Sequence, residues 1–333
     1  MADRNGLAGL EREELPLETP LPYYAEEFLI YLENIKGKSG NTVREYRYDL
    51  IMFFAYFAKR EKKEYLDDLD DSFIKGVTLS DLYRYINYLS RDRKLKPATR
   101  ARKVASLRSF FKYLHSKARV IENNPTLDLE TPKLTKKLPV YLELDESRQL
   151  LDSVSGENDR RDLCILTLFL NCGMRLSELC GINISSIKDN TLKVTGKGDK
   201  ERTVYLNRAC LEAIDDWLEV RPELDENDPD ADALFLSERK KRISPKTVQY
   251  TVKKYIMKAG LDPQKYSVHK LRHTAATLLY RYGQVDIRSL QEILGHESIS
   301  TTEIYTHVNR EMLADAVSRN PLSEYEPKEP KDN

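Results

Sequence analysis

The sequence predicts a mainly α-helical protein of two domains, with one small β-hairpin in the second. Three observations carry that expectation. The chain has 333 residues, a length suited to about two domains. Apolar residues recur at helical spacing in both halves. An aperiodic, proline-bearing stretch between Arg119 and Tyr141 separates them. Apolar residues make up 40% and charged residues 32%, enough for packed cores and too much for wholesale disorder.

Taken in order, residues 1–21 are polar and rich in Glu, an N-terminal extension without the apolar segment of a signal peptide. Residues 22–118 read as a helical domain. Tyr46, Leu50, Phe53, Phe54 and Phe57 recur at i, i+4, i+7, i+8 and i+11, behind a capping box of Thr42 and Glu45. Leu82, Tyr85, Ile86 and Leu89 repeat the pattern behind Thr78 and Asp81. A further helix is predicted from Pro97, a residue suited to the first helical position. Its Val104, Leu107, Phe111 and Leu114 point inward, which leaves Arg100, Arg102, Lys103, Arg108 and Lys112 on the other side. Residues 119–141, with Pro125, Pro132 and Pro139, form a stiffened linker that cannot pair into a sheet. Residues 142–317 read as the second domain. There Thr191–Thr195 and Arg202–Leu206 flank Gly-Lys-Gly-Asp-Lys-Glu, a hairpin signature. Ser244-Pro245 opens a helix, and Ile287–Leu294 is amphipathic. Residues 318–333 form a C-terminal tail.

The longest strongly apolar run, Cys164–Cys172, falls far short of the ~20 residues of a membrane span, so no membrane role is expected. The four cysteines form no CxxC pair, which argues against a disulfide scaffold or zinc ribbon. A cytoplasmic protein is expected. Net charge is zero, yet charge is segregated along the chain. Residues 91–119 carry eleven basic side chains and one acid, and residues 239–258 carry eight basic side chains and no acid. Residues 223–232 hold six acids and no base. Such segregation suits a polyanion path, with Arg242 and Lys246 in a loop and helix start facing it. Ordinary solvated helix faces give the same pattern.

Four of the five histidines, His269, His273, His296 and His307, lie within 39 residues. Histidine titrates near neutrality, so the cluster points to acid–base work. His269 and His273 have the spacing of metal ligands on one helix face, but Lys270 and Arg272 between them repel a cation and no HExxH occurs. No metal is expected. Gly196-Lys197-Gly198 lacks the spacing of a phosphate loop, so no nucleotide is expected either. What remains is a basic constellation. His269 and Arg272 lie one helical turn apart on one face, and Arg175 opens a helix with Glu178 three residues on to orient it. Two guanidiniums can grip a phosphate by bidentate bonds and stabilise a pentavalent transition state.

Arg175 in Cys-Gly-Met-Arg-Leu-Ser-Glu-Leu, Lys197 in Thr-Gly-Lys-Gly, His269-x-x-Arg272, Leu294-Gly295-His296 and Tyr305 nine residues later resemble, in order and spacing, the tyrosine site-specific recombinases. The resemblance covers about residues 22–317, and size and layout are nearest to Xer-type recombinases and small integrases of mobile elements. It implies a two-domain clamp around duplex DNA, with a helical core-binding domain and a catalytic domain. It also implies a role for each residue. Tyr305 attacks the scissile phosphate and holds the 3′ end as a phosphotyrosine. His269 is the general base, which a tyrosine needs because only about 0.1% of a free phenol is ionised at neutral pH. Lys197 protonates the departing 5′ oxygen, Arg175 and Arg272 clamp the phosphate, and His296 hydrogen-bonds to it. Neither ATP nor metal is implied, because the phosphotyrosine ester conserves the bond energy.

The implied partners are duplex DNA carrying an inverted-repeat site and a homo-tetramer that exchanges strands through a Holliday junction. A second recombinase or an accessory protein can join such assemblies. Chromosome dimer resolution and integration or excision of a mobile element both fit. The run Met312–Val317 is apolar enough to dock on a neighbouring protomer, as a C-terminal helix does in related recombinases, or on its own domain. Tyr280 and Tyr282 read as packed helix residues, and His273, His307 and the cysteines as structural. A type IB topoisomerase and a non-catalytic DNA-binding relative stand as alternatives.

Overall fold

The computed structural model describes residues 15–133, 139–196, 201–283, 285–295, 298 and 302. The chain divides into two compact units, Met1–Lys136 and Lys137–Asn333.

Among the described residues the first unit holds five α-helices, α1 (Tyr23–Ile30), α2 (Gly40–Arg60), α3 (Asp71–Gly76), α4 (Leu79–Arg91) and α5 (Pro97–Ser116), with a π-helical turn at Tyr31–Ile35 and a 3-10 turn at Leu66–Asp68. In α2 the predicted stripe is realised, with Leu50, Phe53, Phe54 and Phe57 all buried. Helix α2 begins earlier than the sequence suggests. Ser39 is its N-cap and accepts from the Thr42 N–H, so Thr42 lies inside the first turn. Thr78 and Asp81 form the reciprocal capping box expected for α4, and Pro97 takes the first position of α5. The core is aromatic. Phe53 meets Tyr85 and Phe111 edge-on at 5.4 and 6.0 Å, and Phe28 meets Phe110 at 5.3 Å.

One polar knot sits inside this core. Asp49, on the buried side of α2, accepts from Lys103 Nζ at 2.7 Å, Arg102 at 2.7 Å and Ser106 Oγ at 2.6 Å. The inward/outward division of α5 therefore needs correction at Lys103. It is buried, because a buried carboxylate needs a charged, hydrogen-bonded partner. The segment after α5 also differs from a free linker. Ile121 and Leu129 are buried in the same core, and Arg108 donates to the Leu129 carbonyl and to Thr131 Oγ1.

The second unit is built around α7 (Asp159–Cys172), which buries residues on all sides between α6 (Leu144–Asp152), α9 (Arg208–Val220) and α11 (Val268–Tyr282). Helices α8 (Leu176–Cys180), α10 (Pro245–Lys258) and α12 (Ile287–Leu294) are the other α-helices among the described residues of this unit. The predicted hairpin is β2 (Thr191–Thr195) with β3 (Glu201–Tyr205), antiparallel, Leu192 opposite Val204 and Val194 opposite Arg202. A two-residue strand that periodicity could not reveal, β1 (Ile187–Lys188), pairs with β2 to make a three-stranded sheet. All four cysteines are buried and free, with Cys172 Sγ 3.7 Å from Cys210 Sγ. Tyr280 packs against the α11–α12 contact, but Tyr282 is exposed, contrary to the packed reading. Among the described residues no helix is long and apolar enough to cross a membrane.

Candidate active site

The site forms where α7, α8, β3, α11 and α12 meet. Helix α7 ends at Gly173 in the left-handed conformation, φ +58°, where a Cβ would stand 2.8 Å from Leu294 Cδ2. The chain turns there, and Arg175 becomes the N-cap of α8. Its backbone N–H donates to Glu178 Oε2 at 2.8 Å and its guanidinium to Oε1 at 2.7 Å. Glu178 thus holds Arg175 at both ends, as the spacing suggested.

Helix α12 leaves its last carbonyls without helical partners. Three arginines take three of them in succession. Arg202 donates to the Ile293 carbonyl at 2.5 Å, Arg272 to that of Leu294 at 2.7 Å, and Arg175 to that of Gly295 at 2.6 Å. The negative end of the helix dipole suits all three cations. Arg272 also donates to the Gly173 carbonyl at 2.5 Å, which ties α11 to the end of α7. Gly295, φ +63°, has no space for a side chain, since a Cβ would stand 2.6 Å from Arg202 Cδ.

Arg202 is the member of this set that sequence reasoning missed. It donates to both oxygens of Glu178, from Nε at 3.3 Å and from its terminal nitrogen at 2.9 Å. The signal was present in the hairpin. Arg202 shares a strand face with the buried Val204, two residues on, so a cation stands on the inward face of a strand. Burial pushes the Glu178 carboxyl up, but the bonds and charge of Arg202, then of Arg175, outweigh it and hold the group down at about 2.

Arg175, His269 and Arg272 line one cavity of about 570 Å³ together with Lys253 and Tyr266. Partial burial first, then the charges of Lys270 and Arg272, hold the His269 imidazole below its ordinary value, so it is neutral and able to accept a proton at pH 7. His273 packs edge-on against it, ring centres 4.6 Å apart, and burial followed by the His269, Lys270 and Arg272 interactions lowers it to about 4. Lys197, His296 and Tyr305, and the run Met312–Val317, lie outside the described residues. Among the described residues no three His, Cys, Asp or Glu side chains converge as metal ligands.

The six residues expected to face a polyanion fare unequally. Lys246 is exposed in the first turn of α10, and Arg102 is exposed while bonded to Asp49 and paired with Glu45 at 3.2 Å. Arg100 donates to Ser90 Oγ and keeps a buried Nε without a partner. Lys103, Arg108 and Arg242 are engaged within the protein, Arg242 on the Cys180 and Ile182 carbonyls and Asn183 Oδ1. The charge segregation also softens in space. Lys241 pairs with Asp228 at 3.1 Å and Arg242 approaches Asp230 at 4.0 Å, so part of the basic stretch meets the acidic one.

The phage integrase family model matches residues 140–312, and the N-terminal SAM-like domain model of phage integrases matches residues 25–118. The chain is 53% identical over 326 residues to the tyrosine recombinase XerC of Caldanaerobacter subterraneus subsp. tengcongensis, covering 95% of this chain and 92% of that one. Among solved structures, the XerH site-specific recombinase bound to palindromic difH substrate superposes with a TM-score of 0.67 at 24% identity, over 89% of this chain and 84% of that one. A lambda integrase tetramer bound to a Holliday junction gives 0.64 at 18% identity, over 84% and 77%. The two structures share the fold.

Proposed function

The chain belongs to the phage integrase family and is a tyrosine recombinase, an enzyme that breaks and rejoins DNA strands, and on that premise we propose how its own residues carry the reaction. Tyr305 Oη attacks the scissile phosphorus and gives its proton to His269. The 5′ oxygen leaves with a proton from Lys197, and a 3′-phosphotyrosine ester remains. Arg175 and Arg272 hold the non-bridging oxygens, with His296 beside them. A 5′ hydroxyl from another strand then attacks the ester and releases Tyr305. One phosphodiester is exchanged for another through the ester, so no external energy source enters the balance.

The observation that carries this reading is the convergence of Arg175, Arg272 and an uncharged His269 on one cavity. Both guanidiniums rest on backbone carbonyls, acceptors that a phosphate oxygen can replace. The proposed substrate is duplex DNA with an inverted-repeat site, and the proposed assembly a homo-tetramer on two such sites in the cytoplasm. Residues 22–118 would grip the duplex and residues 142–317 carry the chemistry. The test is a covalent trap. Wild-type protein and Tyr305→Phe are incubated with nicked fragments of the host genome in EDTA without ATP, and detergent-stable adducts are sequenced and mapped by peptide mass. Adducts on Tyr305 at one inverted repeat support the proposal. Adducts without sequence preference, or on another residue, overturn it.

A further inference from the structure

Glu178 is a single buried carboxylate facing two guanidiniums. Its side chain is 0% exposed, that of Arg202 12% and that of Arg175 32%. The three groups carry one net positive charge between them, and the geometry decides which arginine bears it. Arg202 uses all three guanidinium nitrogens, two on Glu178 and one on the Ile293 carbonyl. Arg175 makes one side-chain bond to Glu178 and lines the cavity.

Given Arg175 as part of the phosphate clamp, we propose that Arg202 is a positioning residue: as the fixed counter-ion of Glu178, it leaves the charge of Arg175 for the scissile phosphate. Without Arg202, Glu178 turns both oxygens to the Arg175 guanidinium and cancels it. The phosphate then meets a neutral pair where it had met a cation. Arg202 also begins its action from a telling place in the sequence. It follows Lys197 by five residues, and its bond to Ile293 lies three residues before His296, so one side chain joins the three segments that supply Arg175, Lys197 and His296.

The charge balance gives the inference a readout that a merely structural role would not produce. Single-turnover adduct formation is measured on the nicked duplex recovered in the covalent trap, with duplex affinity measured in parallel. Arg202→Gln is expected to slow adduct formation about 100-fold, the scale of losing one preorganised charge partner, with duplex affinity unchanged. Adding Glu178→Gln to it removes the carboxylate that captures Arg175, restores the net charge, and is expected to regain about tenfold. If Arg202 only braced the fold, the double variant would be as slow as the single one or slower, and that result overturns the proposal. So does a wild-type rate for Arg202→Gln while Arg175→Ala is inactive. A fully active Arg175→Ala would instead remove the clamp on which the inference rests. Should Arg202→Gln not fold, Arg202→Lys replaces it. Lysine keeps the charge at a single point, is expected to be about tenfold slow, and must also be improved by Glu178→Gln.

Discussion

Gly295 and Gly260 share a left-handed backbone, φ +63° and +69°, in opposite surroundings, and the pair makes a controlled experiment. A Cβ on Gly260 would meet nothing within 4 Å, whereas on Gly295 it would stand 2.6 Å from Arg202 Cδ and 3.1 Å from its Nε. Alanine at either site loses about 1–2 kcal/mol to the left-handed conformation. At Gly295 it must also displace an arginine held on Glu178 and on the Ile293 carbonyl, an overpacking cost of about 1–3 kcal/mol more. For a unit of roughly 200 residues, 1 kcal/mol moves the thermal midpoint by about 3 °C. Gly260→Ala should therefore lower the midpoint by about 5 °C and Gly295→Ala by about 10 °C. Trp217 is the chain's only tryptophan, buried in the second unit with Nε1 donating to the Leu234 carbonyl at 2.8 Å, so its fluorescence reports that unit. Gly260→Ala should form Tyr305 adducts at the wild-type rate, and Gly295→Ala at least about tenfold more slowly, because moving Arg202 releases Glu178. Equal midpoints for the two variants, with full adduct formation in Gly295→Ala, would refute the steric argument.

Two further outcomes are expected. Asp49→Ala leaves the Lys103 ammonium buried without its carboxylate and should destabilise the first unit by about 3–5 kcal/mol in urea followed by circular dichroism; a loss below about 1 kcal/mol would mean that Lys103 reaches water. His273 is held at about 4, so between its ordinary 6.5 and 4 the unfolded chain binds a proton that the folded one refuses. Stability should accordingly fall as pH drops through that window, and His273→Leu should flatten the fall in Trp217-monitored unfolding; identical slopes would contradict it.

Local rules made much of this molecule legible. The stripe Leu50, Phe53, Phe54, Phe57 names the buried face of α2, Thr78 with Asp81 marks the start of α4, and the segments flanking Gly-Lys-Gly-Asp-Lys-Glu pair as β2 and β3. Glu178 is legible as the orienter of Arg175 because capping spacing is local. The misses are long-range. Lys103 is drawn inward by Asp49, 54 residues earlier, and Arg202 finds Glu178 24 residues before it, separations that no helical or strand period encodes. The first turn of α2 differs for another reason: Ser39 and Thr42 both suit an N-cap, and Ser39 takes the position, accepting from the Thr42 N–H.

The arginines that meet at the end of α12 make bonds that span very long stretches of chain. Arg175 meets Gly295 over 120 residues, Arg272 meets Gly173 over 99, and Arg202 meets Ile293 over 91. Loops of that length close late, because their entropy is lost before the contact returns any stabilisation. On a ribosome adding roughly 5–20 residues per second, about ten seconds separate the emergence of Arg175 from that of Gly295. Through that interval the growing chain holds the guanidinium but not the carbonyl that orients it. A chain released before α12 leaves the ribosome therefore lacks the carbonyls on which the Arg175 and Arg202 guanidiniums rest.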